Sequence, residues 1–285
     1  MQAAIGGSDE ISSFGWERVR RLGRWLSTPS AGFLLLVVSA SILAAVVAPH
    51  DPLEMSKATP LSAPSTQFPL GTDQFGRDIL SRLLFGARIA LLIGIGSTLT
   101  AAAVGVPLGL WAGYAGGRVD AVVMRVVDTL LAIPPVLLAM ALVAMTGRSS
   151  VNAAVAVAVV ALPQFARIAR AGTLSEKSLE YVEAAVAVGA SDTRLVFRTI
   201  LPNVLSPVLV QIPIGVSRAI LLEASLSFLG LGTQPPQPSW GLMIRESRDY
   251  MYTAPLYGVF PGAVIALTVL SLNALSDRAR AAWRS

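Results

Sequence analysis

The apolar residues of this chain fall into six long stretches that contain few or no charged side chains. A bilayer core of about 30 Å requires about 20 apolar residues of helix, and each stretch approaches or exceeds that length. The pattern therefore predicts six transmembrane helices. They cover Trp25–Pro49, Ile89–Gly117, Thr129–Gly147, Ser149–Ala166, Asn203–Leu229 and Tyr250–Ser276.

The composition supports a membrane protein. Hydrophobic residues make up 54% of the chain and charged residues only 14%, whereas a soluble domain carries about 25% charged residues. Too few polar groups are present to cover a water-exposed surface, so lipid must cover part of it. The predicted fold class is all-α and polytopic.

The basic residues are distributed unevenly between the two sides of the six-span arrangement. Fourteen of the 22 Lys and Arg residues lie on one side and seven on the other, with Arg218 inside a span. Because cytoplasmic loops carry the excess of positive charge, both termini are predicted to be cytoplasmic. The predicted cytoplasmic segments are 1–30, 167–202 and 277–285, and the external segments of the transmembrane domain 31–276 are 50–88 and 231–249.

The segment 167–202 contains a helix–turn–helix pattern. Glu180 to Val188 favours a short helix, and Gly189 is typical of the left-handed residue that ends one. Ser191 or Asp192 can cap the next helix. Pro202 enters the fifth span, where its missing N–H matters least if it lies in the first turn.

The same segment carries the most specific signal of the chain. Glu183-Ala184-Ala185, then Gly189 and Leu201-Pro202, resemble the cytoplasmic loop signature of permease subunits of bacterial binding-protein-dependent ABC importers. That family often has Ile where this chain has Thr199. The resemblance implies that this segment is a coupling loop whose helix sits in a groove on an ATPase subunit. The small alanines allow a close approach, and Glu183 offers a charge to a partner arginine.

Two external segments extend the resemblance. Residues 70–83 and 226–241 look like the corresponding segments of the C-type permease of dipeptide and oligopeptide importers. This implies the type I ABC importer permease fold in a bacterial cytoplasmic membrane, and peptides as substrate, although similar permeases carry metals such as nickel. The implied partners are a paralogous permease, two ABC ATPase subunits that bind ATP and Mg²⁺, and an extracytoplasmic substrate-binding protein.

The external segments leave two interpretations open. Asp73, Arg77 and Asp78 precede an amphipathic helix suited to the membrane interface, and Trp240 lies in a proline-rich loop. Both regions could form an outer gate or a docking surface for a binding protein. Alternatively, the first is an elbow that anchors the second span, which the amphipathic pattern favours, and the second is a rigid cap with Trp240 at the interface.

Three charged residues lie within or near the spans. Arg218 and Glu223 interrupt the fifth span, and Asp128 stands at the start of the third. Such charges usually face the protein interior or a water-filled path. Arg218 and Glu223 are separated by about 140° around a helix, so they are not expected to pair. Asp128 can pair with Arg125, three residues earlier.

The sequence predicts no catalysis by this chain alone. A P-loop needs Gly-Lys-Ser/Thr, but the two lysines, Lys57 and Lys177, follow Ser56 and Glu176. One histidine and no cysteine do not make a typical zinc site, so no metal site and no cofactor are predicted in this chain. Because the basic residues lie between apolar runs, nucleic acid is not an expected partner.

An alternative function is a proton-coupled secondary transporter that uses Glu223 and Asp128 as proton carriers. That class of transporter is built from internal inverted repeats, and no convincing repeat is visible in this sequence. A membrane-embedded enzyme would need clustered catalytic groups within the spans, which the sequence does not show.

Overall fold

The computed structural model describes residues 28–55 and 60–284, and their regular structure is helical. The α-helices are α1 Pro29–Ile42, α2 Ala44–Val47, α3 Ile79–Ala115, α4 Gly117–Ala132, α5 Pro135–Thr146, α6 Ser150–Lys177, α7 Glu180–Ala187, α8 Asp192–Arg194, α9 Leu201–Phe228, α10 Trp240–Ser247 and α11 Pro255–Arg284. A π-helix, Leu195–Ile200, joins α8 to α9, and a 3₁₀-helix, Arg248–Tyr250, follows α10. Most of the predicted segment 1–30, and the beginning of the predicted first span at Trp25, lie outside the described residues.

Four helices of the described chain are long and apolar enough to cross a membrane. They are Ile79–Ala115, Ser150–Lys177, the continuous stretch Asp192–Phe228, and Pro255–Ala281. The pair α4 and α5 forms a fifth candidate, although the two helices are bent by 96°. The predicted first span corresponds to the shorter apolar helix α1, of 14 residues. The all-helical membrane fold is therefore confirmed, whereas the count of six spans is confirmed only for four to five.

Several predicted boundaries were wrong in the same direction. α3 begins at Ile79 rather than Ile89, so the expected interfacial helix is the first part of a span. α6 continues to Lys177, and the fifth span begins at Asp192. The predicted loop 167–202 is therefore mostly helix that prolongs the spans. α6 passes beyond Arg167 and Arg170, which are paired with Asp128 and Asp120, and α3 includes Arg82, which is paired with Glu246.

The third span is broken where two prolines adjoin. Pro134 and Pro135 lack the N–H groups that would bond to the carbonyls of Leu130 and Leu131. α4 therefore ends at Ala132, and α5 begins at Pro135 in a different direction. The prediction of a single helix over Thr129–Gly147 was wrong for this reason.

Side-chain caps mark the starts of several helices, three of them near the residues discussed below. The Asp78 carboxylate accepts from the backbone N–H of Ser81 at 2.9 Å and so begins α3. The Ser149 hydroxyl accepts from Asn152 N at 3.0 Å at the start of α6. The Ser239 hydroxyl accepts from Leu242 N at 3.2 Å at the start of α10. Each side chain satisfies a backbone donor that the first helical turn leaves free.

α3, α6 and α9 pack against one another, and α11 packs against α9. Glycines spaced four residues apart bring the backbones of α3 and α6 into contact, as small residues do in membrane helix pairs. A Cβ added to Gly109 would lie 2.2 Å from Ala166 O, and one added to Gly105 would lie 2.7 Å from Leu162 O. The α3–α6 pair therefore packs with its two backbones in close contact.

The bundle has two ends that differ in construction. We call one the Trp240 end, comprising residues 68–83 and 239–247. Its buried side chains include Leu83, Trp240 and Met243. We call the other the Gly189 end, comprising residues 176–203 and the last turn of α3. These two ends contain most of the residues that the sequence singles out.

Candidate functional site

The helix α7 at the Gly189 end lies largely on the surface. Glu183 and Ala184 are exposed and Ala185 is half-buried. Val182 is buried, and α7 packs against the π-helix, of which Leu195 and Ile200 are buried. One buried valine therefore packs this helix against the bundle, and the exposed side chains, Glu183 among them, are available to contact another molecule.

Gly189 ends α7 as the sequence predicts. Its φ is +82°, a conformation that other residues rarely adopt. Its N–H donates to Val186 O at 2.9 Å, and Ala190 N donates to Ala185 O at 3.1 Å. These two bonds form the Schellman arrangement that satisfies the last carbonyls of a helix. Ser191 stands at the N-cap position of α8, but its side chain makes no capping hydrogen bond there.

Two large apolar side chains are exposed on the same short segment. Val186 is 56% exposed and Val188 is 85% exposed. Val186 lies three residues after Glu183, so the two share one face of α7. An apolar patch next to a charge at the end of a membrane helix bundle is typical of a protein–protein contact surface.

A polar cluster that the sequence did not reveal holds α7 in place. The Tyr181 hydroxyl donates to the Glu176 carboxylate, and Asn203 Nδ2 donates to the same carboxylate at 3.0 Å and to the Tyr181 oxygen at 2.9 Å. The hydrogen bond to Glu176 raises the pKa of Tyr181 above its usual value. The cluster joins the end of α6, the start of α7 and the start of α9.

A second tether joins the end of α3 to the same region. The Tyr114 hydroxyl donates to Asp192 Oδ1 at 2.6 Å, and Lys177 Nζ donates to Tyr114 O at 2.8 Å. Nothing in the local sequence pattern marks Tyr114, because its partners are more than sixty positions away. α3, α6 and α8 are thus connected where α7 projects from the bundle.

Leu201 and Pro202 lie at the start of α9. Leu201 is half-buried, Pro202 is exposed, and Pro202 stands in the first turn as predicted. They adjoin Asn203, whose amide contacts Tyr181 at the base of α7. The structure thus links Leu201-Pro202 to the helix of Glu183 and Gly189 through one intervening side chain.

Arg218 lies in a cavity of about 320 Å³ among α4, α5, α6 and α9. Its guanidinium Nη1 donates to Gln164 Oε1 at 3.5 Å, a long contact. Among the described residues, no carboxylate forms an ion pair with it. Arg218 and Glu223 do not pair, as the sequence predicts.

Glu223 is completely buried on another face of α9. Its carboxylate accepts from the Ser227 hydroxyl at 2.7 Å and from the Thr233 hydroxyl at 3.3 Å. Ser227 Oγ in turn accepts from Thr233 N at 2.9 Å. Glu223 therefore binds the turn after α9 to the helix and does not line the cavity in which Arg218 lies.

Asp128 pairs with a residue that the sequence did not suggest. Its Oδ1 accepts from Arg167 Nη2 at 2.6 Å, so the prediction of a pair with Arg125 was wrong. A neighbouring pair, Arg170 with Asp120, is bidentate at 2.5 and 2.6 Å. Both pairs connect α4 to α6, which explains how α6 continues past its arginines.

The polar residues of the Trp240 end are buried in a network. Asp73 and Arg77 are 0% and 3% exposed, and Arg77 Nε donates to Asp73 Oδ2 at 2.6 Å. Glu246 of α10 accepts from Arg77 at 3.3 Å, from Arg82 at 2.9 Å and from the Tyr257 hydroxyl at 2.9 Å. Glu246 was missed by the sequence analysis because it lies 164 positions from Arg82.

Asp78 and Trp240 are also interior residues. Asp78 is 1% exposed and caps α3. Trp240 is 0% exposed, and its indole N–H donates to Leu83 O at 3.0 Å. In this conformation Asp73, Arg77, Asp78 and Trp240 are therefore interior residues that offer no exposed surface for docking, and their role in an outer gate stays a prediction. Together these residues close one end of the bundle.

Comparison with known proteins identifies the class of this bundle. Residues 105–283 match the family described as binding-protein-dependent transport system inner membrane component. The chain is 43% identical over 254 residues to the di/tripeptide transport system permease protein DppC of Pseudomonas aeruginosa, covering 87% of this chain and 84% of the relative. It is 42% identical over 266 residues to the glutathione transport system permease protein GsiD of Pectobacterium atrosepticum, covering 93% and 88%.

A solved structure shares the fold. The inward-facing MetNI methionine ABC transporter matches with a TM-score of 0.60 and 20% sequence identity, over 71% of this chain and 97% of that chain. The apolar spans, the helix presented at the Gly189 end and these matches agree with one another. The chain is thus a multi-pass membrane protein that belongs to the family of binding-protein-dependent transport system inner-membrane components.

Proposed function

We propose that this chain is one permease subunit of an ATP-driven importer of short peptides. It would form half of the translocation pathway, with a paralogous permease forming the other half. Two ATPase subunits would supply ATP hydrolysis with Mg²⁺, because this sequence has no P-loop. A substrate-binding protein on the far side of the membrane would deliver the peptide.

The exposed surface of α7 carries this proposal. Glu183, Val186 and Val188 form a charged and apolar patch at the Gly189 end. The Glu176–Tyr181–Asn203 cluster fastens that patch to α6 and α9. A neighbour bound to α7 would therefore move these two spans with it, which is the arrangement that a rigid-body switch between inward-open and outward-open states requires.

The proposal also assigns an orientation. The Gly189 end would face the cytoplasm, where ATP is available, and both termini would lie on that side, in keeping with the excess of arginine there. The Trp240 end would face the binding protein. A cysteine placed at Val188, which is 85% exposed, would then react with an impermeant maleimide only from the cytoplasmic side.

Peptides are proposed as substrate because the relatives named above are permeases for di- and tripeptides and for glutathione. These compounds share peptide bonds and a free carboxylate. The uptake assay should therefore offer a dipeptide and glutathione side by side, with a nickel salt as the non-peptide alternative.

The test is reconstitution with the partner ATPases, the second permease and the binding protein in liposomes. Glu183→Gln, and separately Gly189→Val, should lower peptide-stimulated ATP hydrolysis and uptake at least about tenfold, as expected when a buried charge contact at an interface is lost. Asp277→Asn is the control, since Asp277 is an exposed carboxylate on α11, outside the Gly189 end. If hydrolysis and uptake match the unmodified complex in both variants, α7 is not the coupling element.

A further inference from the structure

The cavity around Arg218 differs from two other cavities of the described residues. Those two cavities include no arginine, lysine or glutamine in their linings. The Arg218 cavity is mostly apolar, but Gln164, Gln211 and Arg218 all line it. An apolar cavity with a few converging polar groups is the usual form of a site for a small organic ligand.

The position of Arg218 within a candidate span is the second observation. Ten residues of helix separate it from Phe228, the last residue of α9, which corresponds to about 15 Å at 1.5 Å per residue. Arg218 thus lies well inside a helix that is long and apolar enough to cross a membrane. An arginine within such a span faces water, a polar ligand or a protein partner rather than lipid, because burial of its charge in hydrocarbon is costly.

Arg218 has no anionic partner in the described chain. Arg218 is exposed, and its Nη1 contacts the neutral side-chain oxygen of Gln164 at 3.5 Å. Every other arginine that reaches the interior of the bundle described here, Arg77 and Arg82 among them, has a carboxylate partner. A guanidinium fork with free donors matches a carboxylate in shape and charge.

The backbone at the cavity adds polar atoms. Leu131 and Pro135 line it at the break between α4 and α5. The two prolines leave carbonyl oxygens of α4 without their helical donors. Irregular backbone at membrane depth is tolerated where it lines a water-filled cavity, so the break and the charge both indicate a hydrated space.

From these observations we infer that Arg218, with Gln164 and Gln211, forms a carboxylate-binding site in the translocation pathway. The site rests on the proposed function, in that the carboxylate is that of the peptide being transported. Gln211 and Arg218 are seven residues apart on α9, which places them two turns apart on one face. Arg218 would hold the carboxylate, and the glutamine amides would bind the adjoining peptide groups.

The electrostatic part of the proposal can be tested without transport. The chain has no cysteine, so Ser225→Cys introduces one thiol into the cavity lining. In the assembled complex, its reaction with an anionic and a cationic methanethiosulfonate is compared, each rate being normalised to a small thiol in solution. Arg218→Gln should lower the anionic-to-cationic ratio about tenfold, as expected for removal of one nearby charge.

The control thiol is Tyr252→Cys, a fully exposed position outside the cavity. Its ratio should not change when Arg218 is replaced. If the thiol at position 225 reacts with neither reagent, or if its ratio is unaffected by Arg218→Gln, the cavity is not a hydrated anion site and the inference fails.

The functional part uses uptake of radiolabelled L-alanyl-L-alanine by the complete complex. Arg218→Gln should lower the initial rate at least tenfold, and Arg218→Lys should recover much of it. Arg148→Gln replaces an exposed arginine outside the cavity and should leave the rate unchanged.

If Arg218→Gln transports normally, the inference fails. If it purifies without the second permease, Arg218 serves subunit pairing and the inference also fails. If the unmodified complex imports neither this dipeptide nor glutathione, the proposed function fails, and the thiol ratio still decides whether the cavity attracts anions.

Discussion

The two ends of this bundle differ in whether their charged side chains are buried and paired or exposed. At the Trp240 end, Asp73, Arg77, Arg82 and Glu246 are 13% exposed or less, and each bonds to another member of the group. At the Gly189 end, Glu183 is exposed beside Val186 and Val188. The charged groups of the Trp240 end find their partners within the chain, whereas those of the Gly189 end are exposed and can be paired by a second molecule. The exposed groups of the Gly189 end are therefore the ones available to a second molecule.

The largest effect on stability is expected from a substitution in the buried charge network of the Trp240 end. Glu246→Gln removes the carboxylate that Arg77 and Arg82 share, and both arginines remain buried. Loss of one partner from a buried ionic group costs about 3–5 kcal/mol. The free energy of unfolding can be measured by circular dichroism in mixed micelles with increasing SDS.

Asp249→Asn is the control for that measurement. Its pair with Arg248 joins two side chains that are about 70% exposed, so its loss should cost less than about 1 kcal/mol. Equal losses in the two variants would contradict the assignment of the Trp240 end as the self-sufficient one.

An effect of intermediate size on stability is expected from replacing one glycine at each end of the bundle. Gly71 and Gly189 have φ values of +81° and +82°. A Cβ on Gly71 would lie 2.3 Å from Ser62 O, whereas one on Gly189 would have nothing within 4 Å. At either position alanine is forced into the left-handed conformation, which lowers the free energy of unfolding by roughly 1–2 kcal/mol. Gly71→Ala also introduces the steric clash, which lowers it by about 1–3 kcal/mol more.

Unfolding of the two variants in the same micelles should therefore rank Gly71→Ala as the less stable by at least about 1 kcal/mol. The reverse order would mean that the Gly189 end is packed more tightly than its open surroundings indicate.

The smallest effect on stability is expected at Glu183. Its side chain is exposed and makes no hydrogen bond or ion pair within the described residues, so Glu183→Gln should change the free energy of unfolding by less than about 0.5 kcal/mol. The same variant should lose affinity for the ATPase subunits in a pull-down from the reconstituted complex. If Glu183→Gln lowers the free energy of unfolding but leaves binding of the ATPase subunits unchanged, Glu183 has a structural role and the contrast between the two ends is wrong.

The sequence predicted the helices better than their lengths. Uniform apolar stretches identify the spans because only a helix satisfies its own backbone in lipid. The predicted ends stopped at charged residues, whereas Arg82 and Arg170 lie inside helices because Glu246 and Asp120 pair with them. Those partners are far away in the chain, and no local pattern reports them.

The turn at Gly189 was predictable because its chemistry is local. A left-handed glycine after a short helix follows from backbone geometry within four residues. The burial of Trp240 was not predictable in this way, since it depends on Gly86: a Cβ there would lie 2.9 Å from the indole ring. Aromatic residues in proline-rich loops occur both at interfaces and in interiors, and only the tertiary contact separates the two.

The glycines of α3 affect how a displacement passes between helices. At Gly105 and Gly109 the backbones of α3 and α6 touch without intervening side chains, so no rotamer change is available there to absorb a displacement. The same two helices are joined at the Gly189 end, where Lys177 Nζ donates to Tyr114 O. A displacement applied at that end would therefore move α3 and α6 together along the length of this contact.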